Sequence, residues 1–334
     1  MLKTACALIS IALAVGCAGE KPGHPRVRIA IGGQSQMVYL PTTLAQELGY
    51  YRDEGLEVEL QDFQGGAKAL QALMGGSADV VSGYYDHTIQ MAAEQRELVA
   101  FVTMLRYPGL VLATSPRTAA TLMTIGDMRG RIAGVTTPGS SSHTFLTFLL
   151  TRHNVPPESV SVTALGSGAT AIAAFERGRI DAGWLADPSF TLLRKRHPGM
   201  RVLADLRDEQ GTLSAFGTAT YPGAVLYSGR GWLRENRDTA ARLARAIVRT
   251  LDWMHARTGR EIAERTPQAL RGGDDALFAE ALDNSKAMFS VDGLMSAEGA
   301  AAVHALLAES MEKVGRTTID LSRTYTNEFV TSAR

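Results

Sequence analysis

The chain has little cysteine. Of its 334 residues only two are cysteines, Cys6 and Cys17. No residue after position 17 carries a thiol, which excludes a disulfide framework, a thiolate zinc site and a cysteine nucleophile from the body of the chain. That body must therefore be held together by its hydrophobic core.

The chain also lacks an excess of charge of either sign. Its 34 Lys and Arg residues balance 34 Asp and Glu residues, so the formal net charge is zero. No run of Lys or Arg forms a local basic patch, and we do not expect nucleic acid as a partner. The hydrophobic fraction of 45 % and the charged fraction of 20 % are those of an ordinary globular chain, and the length favours two domains or lobes.

Diagnostic catalytic motifs are missing as well. The sequence contains no Walker A loop, no HExxH, no GxSxG and no paired carboxylates at a telling spacing. The segment GSSSH at 139–143 superficially combines a nucleophile with a base, but neighbours one to three apart at a helix start rarely point at each other. We expect no enzyme activity, no cofactor and no metal site.

The first 16 residues are typical of a secretion leader. Lys3 is followed by an apolar stretch over residues 5–15, too short to span a bilayer. The sequence Ala-Val-Gly-Cys at 14–17 resembles a bacterial lipobox, with Ala14 where Leu is commonest. We expect a lipid on Cys17, a tether over residues 17–26 and a periplasmic protein anchored to a membrane. Cleavage elsewhere, which would release a soluble periplasmic protein, is the alternative.

One stretch of the chain occurs twice at a spacing of 102 residues. Each copy has small and apolar residues at helical spacing, then a glycine suited to end a helix, then a short run of strand length. The identical positions are Gly66, Ala69, Ala72, Gly76 and Asp79, matched by Gly168, Ala171, Ala174, Gly178 and Asp181.

Further strands and helices precede both copies in the same order, so the pattern strand, helix, strand, helix, strand appears twice. This predicts an α/β fold of two lobes with open, mostly parallel sheets. Tyr-Pro-Gly occurs at 107–109 and again at 221–223, which we interpret as a two-strand hinge, with a pair of ordinary turns as the alternative. The predicted first lobe is 27–107 plus 222–334, and the second is 108–221.

Four motifs carry a resemblance to a known family. PTTLAQELGYYRDEGLEVEL, GGAKALQAL, GGSADV and GRIDAGWLADP resemble periplasmic substrate-binding proteins of ABC importers for nitrate, taurine, alkanesulfonates and thiamine-pyrimidine precursors. The similarity runs over about residues 27–254. It implies a type II periplasmic-binding-protein (Venus flytrap) fold and a monomer that docks on an inner-membrane ABC permease without altering its ligand.

The resemblance leaves the solute open. A small-molecule solute such as a sulfonate, a taurine-like compound or an aromatic acid is the leading expectation, and an aminopyrimidine precursor of thiamine is the alternative. A relative of this fold uses pyridoxal phosphate for pyrimidine synthesis, for which Lys68 and His87 are the nominal candidates. The leader and the exposed helix position expected for Lys68 argue against that enzyme.

The family's pocket falls on loops that follow strands in both lobes. Hydroxyls and free amides at a helix start favour an anion in the second lobe, whereas Asp86 in the first lobe favours an amine or amidine. For each residue alone, capping or core packing remains an alternative. The expected ligand-binding residues are Gln34, Ser35, Gly65, Gly66, Tyr84, Tyr85, Asp86, His87, Thr137, Ser140, Ser141, Ser142, Trp184 and Asp187.

Overall fold

The computed structural model describes residues 25–332. The predicted signal peptide, the lipidation of Cys17 and nearly all of the tether lie outside these residues. Within the described range, no helix combines the length and the apolar character that crossing a membrane requires.

Ten strands form two sheets of five, in the orders β2-β1-β3-β10-β4 and β7-β6-β8-β5-β9. The strands are β1 Arg26–Ile31, β2 Glu57–Asp62, β3 Val80–Tyr84, β4 Leu98–Thr103, β5 Leu110–Thr114, β6 Ile132–Val135, β7 Ser161–Ala164, β8 Ala182–Ala186, β9 Val202–Asp205 and β10 Ala224–Gly229.

The two sheets have equivalent topologies. β1 pairs in parallel with β2 and β3, just as β6 pairs in parallel with β7 and β8. Each sheet contains one antiparallel strand, β10 in the first and β5 in the second. The predicted two-lobed, mostly parallel α/β fold is confirmed, and we call the bodies built on these sheets the first and second lobes.

The chain passes between the sheets twice, after β4 and again before β10. Both passages contain a Tyr-Pro-Gly segment, at 107–109 and 221–223. Backbone bonds link them, since the Gly223 amide donates to the Leu105 carbonyl at 3.0 Å. We propose that these segments form the hinge. The first lobe then ends at residue 107 and resumes at residue 222, and the second lobe comprises residues 108–221.

Fifteen α-helices, besides six short 3-10 helices, occur in the described part of the chain. They are α1 Leu40–Glu47, α2 Tyr50–Asp53, α3 Gly66–Met74, α4 Asp86–Ala93, α5 Ser141–Arg152, α6 Ala169–Glu176, α7 Ser189–Arg196, α8 Glu209–Phe216, α9 Arg230–Glu235, α10 Arg237–His255, α11 Gly259–Arg265, α12 Asp275–Ser285, α13 Ala297–Ser310, α14 Glu312–Arg316 and α15 Glu328–Thr331.

The C-terminal helices support both lobes. The apolar stripe of α10, which includes Leu243, Ile247 and Leu251, is buried against α1, α2 and β4 of the first lobe. α12 packs on α7, and α13 packs on α5, so these two helices also contact the second lobe. The C-terminal region therefore spans the boundary between the lobes.

The duplicated sequence produces a duplicated local structure. Asp79 and Asp181 stand just before β3 and β8, and each carboxylate accepts a backbone amide of the neighbouring strand, Arg28 N at 2.9 Å and Ile132 N at 2.8 Å. In return, each aspartate amide donates to a carbonyl of that strand. The repeated aspartate thus fixes where β3 starts beside β1 and where β8 starts beside β6.

We expect Asp79→Ala to lower the free energy of unfolding by about 1–3 kcal/mol, because it leaves the Arg28 amide without its acceptor. The Asp79 carboxylate also accepts from the Arg28 guanidinium at 2.7 Å. Asp79→Asn is the matched control, since its carbonyl still accepts the amide, and it should lose less. Urea denaturation followed by circular dichroism measures both. An alanine variant as stable as the wild type would contradict this role.

Candidate functional site

Loops at the carboxyl ends of β1, β3 and β6 meet where the two lobes face each other, as expected for open α/β sheets. They enclose a cavity of about 10 Å³ between the lobes, which is room for roughly one water molecule. The lobes are therefore closed on each other. The cavity is lined by Gly32, Gln36, Tyr39, Gly66, Tyr84, Leu110, Thr136, Ser140, Ser141 and Ser142.

Hydrogen bonds join the two lobes around this cavity. Ser141, the first residue of α5, donates its hydroxyl to Asp86 Oδ1, at the start of α4, over 2.8 Å. The Ser35 and Ser167 hydroxyls lie 3.3 Å apart. These contacts cannot persist when the lobes separate, so they belong to the closed state.

The hydroxyls of Thr136, Ser140 and Ser142 at the start of α5 mainly form hydrogen bonds with one another and with the backbone of the same turn. Ser140 donates to the Thr137 carbonyl over 2.7 Å, and the Ser142 hydroxyl accepts the Thr136 amide over 3.0 Å. The Ser140 side chain makes no capping bond to α5. Thr137 Oγ1, by contrast, is buried without a hydrogen-bond partner. These hydroxyls therefore mainly shape the turn.

Asp86 is a carboxylate with 0 % exposure at the interface between the lobes. Oδ1 is bonded to Ser141, whereas Oδ2 has no partner. Burial is the main cause that raises the pKa of this carboxyl. The same carboxylate adds to the effect of burial in raising the pKa of Tyr39, Tyr84, Tyr221 and Tyr227.

His87 follows it directly and is also completely buried. Its Nδ1 lies 3.1 Å from the Tyr227 hydroxyl, while Nε2 has no hydrogen-bond partner. Burial lowers the pKa of this imidazole, so it is neutral at physiological pH and Nε2 remains available to a ligand.

A chain of aromatic rings extends from the cavity wall into the second lobe. Tyr39 meets Tyr84 edge to face, and Tyr84 meets Phe145, with ring centres 6.1 and 6.0 Å apart. Phe145 in turn contacts Trp184 and Tyr221. Both Trp184 Nε1 and the Tyr221 hydroxyl are buried without partners, although such groups normally find one.

Three of the predicted ligand-binding residues have their polar groups engaged away from the cavity. The Gln34 amide nitrogen donates to Thr43 Oγ1 over 3.1 Å, and the Tyr85 hydroxyl lies 2.5 Å from Thr324 Oγ1. The Asp187 carboxylate is occupied by Thr191, Arg207 and Ser285.

Sequence reasoning missed several residues that line the cavity, among them Tyr39 and Leu110. Tyr39 lies just before α1 and Leu110 begins β5, positions that a sequence pattern assigns to the core. Tyr221, which opens the second Tyr-Pro-Gly segment, is not in the lining and packs against Phe145 and Phe216.

Gly65 and Gly66 allow the close approach of the lobes and of α3. A Cβ on Gly66 would lie 2.9 Å from His87 Cε1, and one on Gly65 would lie 2.8 Å from Thr137 Oγ1 of the second lobe. Gly65 also has a φ of +133°, which L side chains rarely adopt. Glycine is therefore required at both positions in the closed state.

The chain is similar to known proteins over much of its length. The family model described as "NMT1/THI5 like" matches residues 36–259. The chain belongs to this family. Among curated sequences, this NMT1/THI5-like protein is 19 % identical over 255 residues to a Bacillus subtilis (strain 168) protein described as "Putative binding protein YtlA", covering 75 % of this chain and 73 % of the relative.

Solved structures agree with the fold. A protein from Bordetella bronchiseptica RB50 superposes with a TM-score of 0.89 at 34 % identity, over 94 % of this NMT1/THI5-like chain and 98 % of that chain. The alkanesulfonate-binding protein SsuA of Xanthomonas axonopodis pv. citri, bound to MOPS, gives 0.71 at 17 % identity, with coverages of 92 % and 99 %. The resemblance to periplasmic binding proteins is thereby confirmed.

No group of three or more His, Cys, Asp or Glu residues is placed to hold a metal ion within residues 25–332.

We expect Gly65→Ala to hold the lobes apart, because its methyl group would collide with Thr137 on closure. Small-angle scattering should show a larger radius of gyration than for the wild type. Gly76→Ala is the matched control: Gly76 also has a positive φ, of +75°, but a Cβ there meets nothing within 4 Å. An unchanged scattering curve for Gly65→Ala would show that the lobes do not close as in this structure.

The buried Asp86 carboxyl predicts a pH dependence of stability. Its pKa is raised in the folded state. The protonated carboxyl therefore contributes its full stabilisation below the ordinary pKa of aspartate. This stabilisation is lost as the pH rises through the raised pKa. Asp86→Asn cannot ionise and escapes this loss. The free energy of unfolding of the variant minus that of the wild type should therefore increase from about pH 4 towards neutrality. Urea titrations across this range measure it, and a pH-independent difference would contradict the prediction.

Proposed function

We propose that this protein is the solute-binding component of an ABC import system, which captures a small organic molecule between its lobes and delivers it to a permease. The supporting observation is that buried polar atoms without partners occur where the lobes meet. These atoms are Asp86 Oδ2, in the residue bonded to Ser141, and Thr137 Oγ1, beside Gly65. His87 Nε2, Trp184 Nε1 and Tyr221 Oη are further unpartnered atoms on buried residues outside the cavity lining. Buried polar groups in proteins are nearly always hydrogen-bonded, so a ligand that satisfies them gains affinity from each.

The hinge and the interlobe contacts support the same function. A receptor for a permease needs two states, and here closure forms the bond between Ser141 and Asp86 across the cleft. The permease can then distinguish loaded from empty protein by the relative position of the lobes. We further propose that the protein acts as a monomer in the periplasm, tethered to a membrane through a lipid on Cys17.

The ligand is proposed to be held by those predicted residues that surround the cavity. Ser140, Ser141, Ser142, Tyr84 and Gly66 line it. Asp86, His87, Thr137 and Trp184 add the unpartnered atoms, Gly65 allows closure, and Ser35 joins the lobes beside it. A sulfonate, a taurine-like compound or an aromatic acid is one class of solute, and an aminopyrimidine is the second.

Pyridoxal-phosphate chemistry has less support. Lys68 is exposed on α3 and its ammonium donates to Gln71 over 3.3 Å, whereas His87 is completely buried. The only lysine considered for a Schiff base thus lies outside the cavity wall.

Thermal unfolding with a solute panel tests the proposal. The panel contains taurine, alkanesulfonates, aromatic acids, aminopyrimidines and small amines and amidines. At a ligand concentration of 100 times Kd the folded state gains about 2.7 kcal/mol, which raises the Tm by a few degrees, and no product should form. Gly65→Ala should weaken this stabilisation by about tenfold or more in Kd, equivalent to ~1.4 kcal/mol. Failure of every solute to raise the Tm of the wild type would refute the receptor function.

A further inference from the structure

Asp86 is a buried acid for which the described residues supply no cation. Its carboxylate is completely buried, its hydrogen bonds come from the Ser141 hydroxyl and the His87 backbone amide, which are both neutral, and Oδ2 has no partner. Among the described residues, His87 is the only ionisable group with an attractive effect on it, and burial keeps that imidazole neutral. A buried carboxylate without a counter-charge is costly.

Arg207, a partly buried arginine of the second lobe, is paired with other aspartates. Arg207 forms ion pairs with Asp187 at 3.0 Å and with Asp205 at 2.6 Å. No Arg or Lys is among the residues that line the cavity. An anionic ligand would therefore meet a negative charge inside the closed cleft with no positive side chain in the cavity wall.

The start of α5 is where an anion would otherwise bind, because free amides and the helix dipole favour negative charge there. In this structure the protein places its own carboxylate at that position, since Asp86 accepts the hydroxyl of Ser141. The neighbouring hydroxyls of Ser140 and Ser142 lie 3.0 Å apart and bond within the turn. The Asp86 carboxylate of the first lobe thereby already offsets part of the positive end of the α5 dipole.

Aromatic rings also line the cavity. Tyr39 and Tyr84 are in its wall, beside Ser141, whose hydroxyl is bonded to Asp86. Aromatic rings attract cations, more strongly when water is excluded. The cavity wall thus has two aromatic rings and no basic side chain, which suits a positive charge better than a negative one.

Building on the receptor function, we propose that the solute is a compact organic cation with N–H donors, a protonated amine or an amidine, whose nitrogen donates to Asp86 Oδ2. Such a group supplies both the missing counter-charge and the missing hydrogen bond. The unpartnered His87 Nε2 and Thr137 Oγ1 are available to further N–H groups of the same ligand. Sulfonates and carboxylates lacking an amino group are excluded by the same carboxylate.

Titration calorimetry with ligand pairs of equal shape and opposite charge tests this assignment. The pairs are acetamidinium with acetate and benzamidinium with benzoate, at near-neutral pH and low ionic strength. We expect the wild type to bind at least one cation at least tenfold more tightly than its anionic counterpart. Asp86→Asn keeps the size of the side chain and an acceptor for Ser141, and it should weaken cation binding by at least tenfold.

Asp62→Asn is the matched control, because it removes the same charge from an exposed residue near the cleft. Its side chain accepts the Gln34 amide at 2.6 Å, a bond that the asparagine carbonyl can keep, so cation affinity should stay within about twofold. Circular dichroism verifies the fold of each variant. If a variant does not fold, the comparison of cation affinity with anion affinity in the wild type still tests whether the ligand is a cation.

The outcomes separate this inference from the receptor function. Preferential binding of the anions, or of sulfonates in the thermal panel, overturns the cationic class while the receptor function stands. Equal cation affinity in Asp86→Asn and the wild type overturns the role of Asp86. A wild type that binds neither these pairs nor any solute of the panel overturns both proposals.

Discussion

The closed arrangement of this protein centres on one carboxylate that the two lobes bury together. Asp86 begins a helix of the first lobe, and Ser141 begins a helix of the second, and their hydrogen bond crosses the cleft. Closing the lobes removes the carboxylate from water, which is unfavourable unless something compensates its charge. The free energy of closure thus depends on what lies beside Asp86, and we propose that this dependence couples occupancy of the cleft to the relative position of the lobes.

A second contact between the lobes has a different character. The Asp187 carbonyl accepts the Met37 amide over 2.8 Å, and its carboxylate accepts the Ser285 hydroxyl over 2.6 Å. Unlike Asp86, this carboxylate has a permanent cation, Arg207. Arg207 therefore compensates the charge of Asp187 whether this carboxylate is exposed or buried. Of these two buried aspartates, Asp187 has a guanidinium partner and Asp86 has none among the described residues.

The fold could be predicted in large part because it relies on local and periodic signals. The helix and strand pattern of the repeat depends on residues near one another in sequence. The bonds of Asp79 and Asp181 that fix the strand starts instead join residues about fifty positions apart. The site was predicted less completely. Tyr84 and Ser141 line the cavity as expected, whereas Trp184, expected to follow a strand, lies within β8 and outside the lining. Tyr85, next to Tyr84, turns instead to Thr324 in the C-terminal segment. Which face of a loop points to the cleft depends on packing that no local pattern contains.

The sequence by itself determined the two α/β lobes, the two crossings between them and the loops from which a site is built, because hydrophobic periodicity, glycine and proline act over short distances. Only the tertiary structure decided how the charges in those loops are used. The serine cluster suggested an anion site, yet its hydroxyls bond to one another and to Asp86, a residue 55 positions away from Ser141 along the chain. Compensation of a buried charge depends on what lies within a few ångströms in space, and the folding of one lobe onto the other sets those distances.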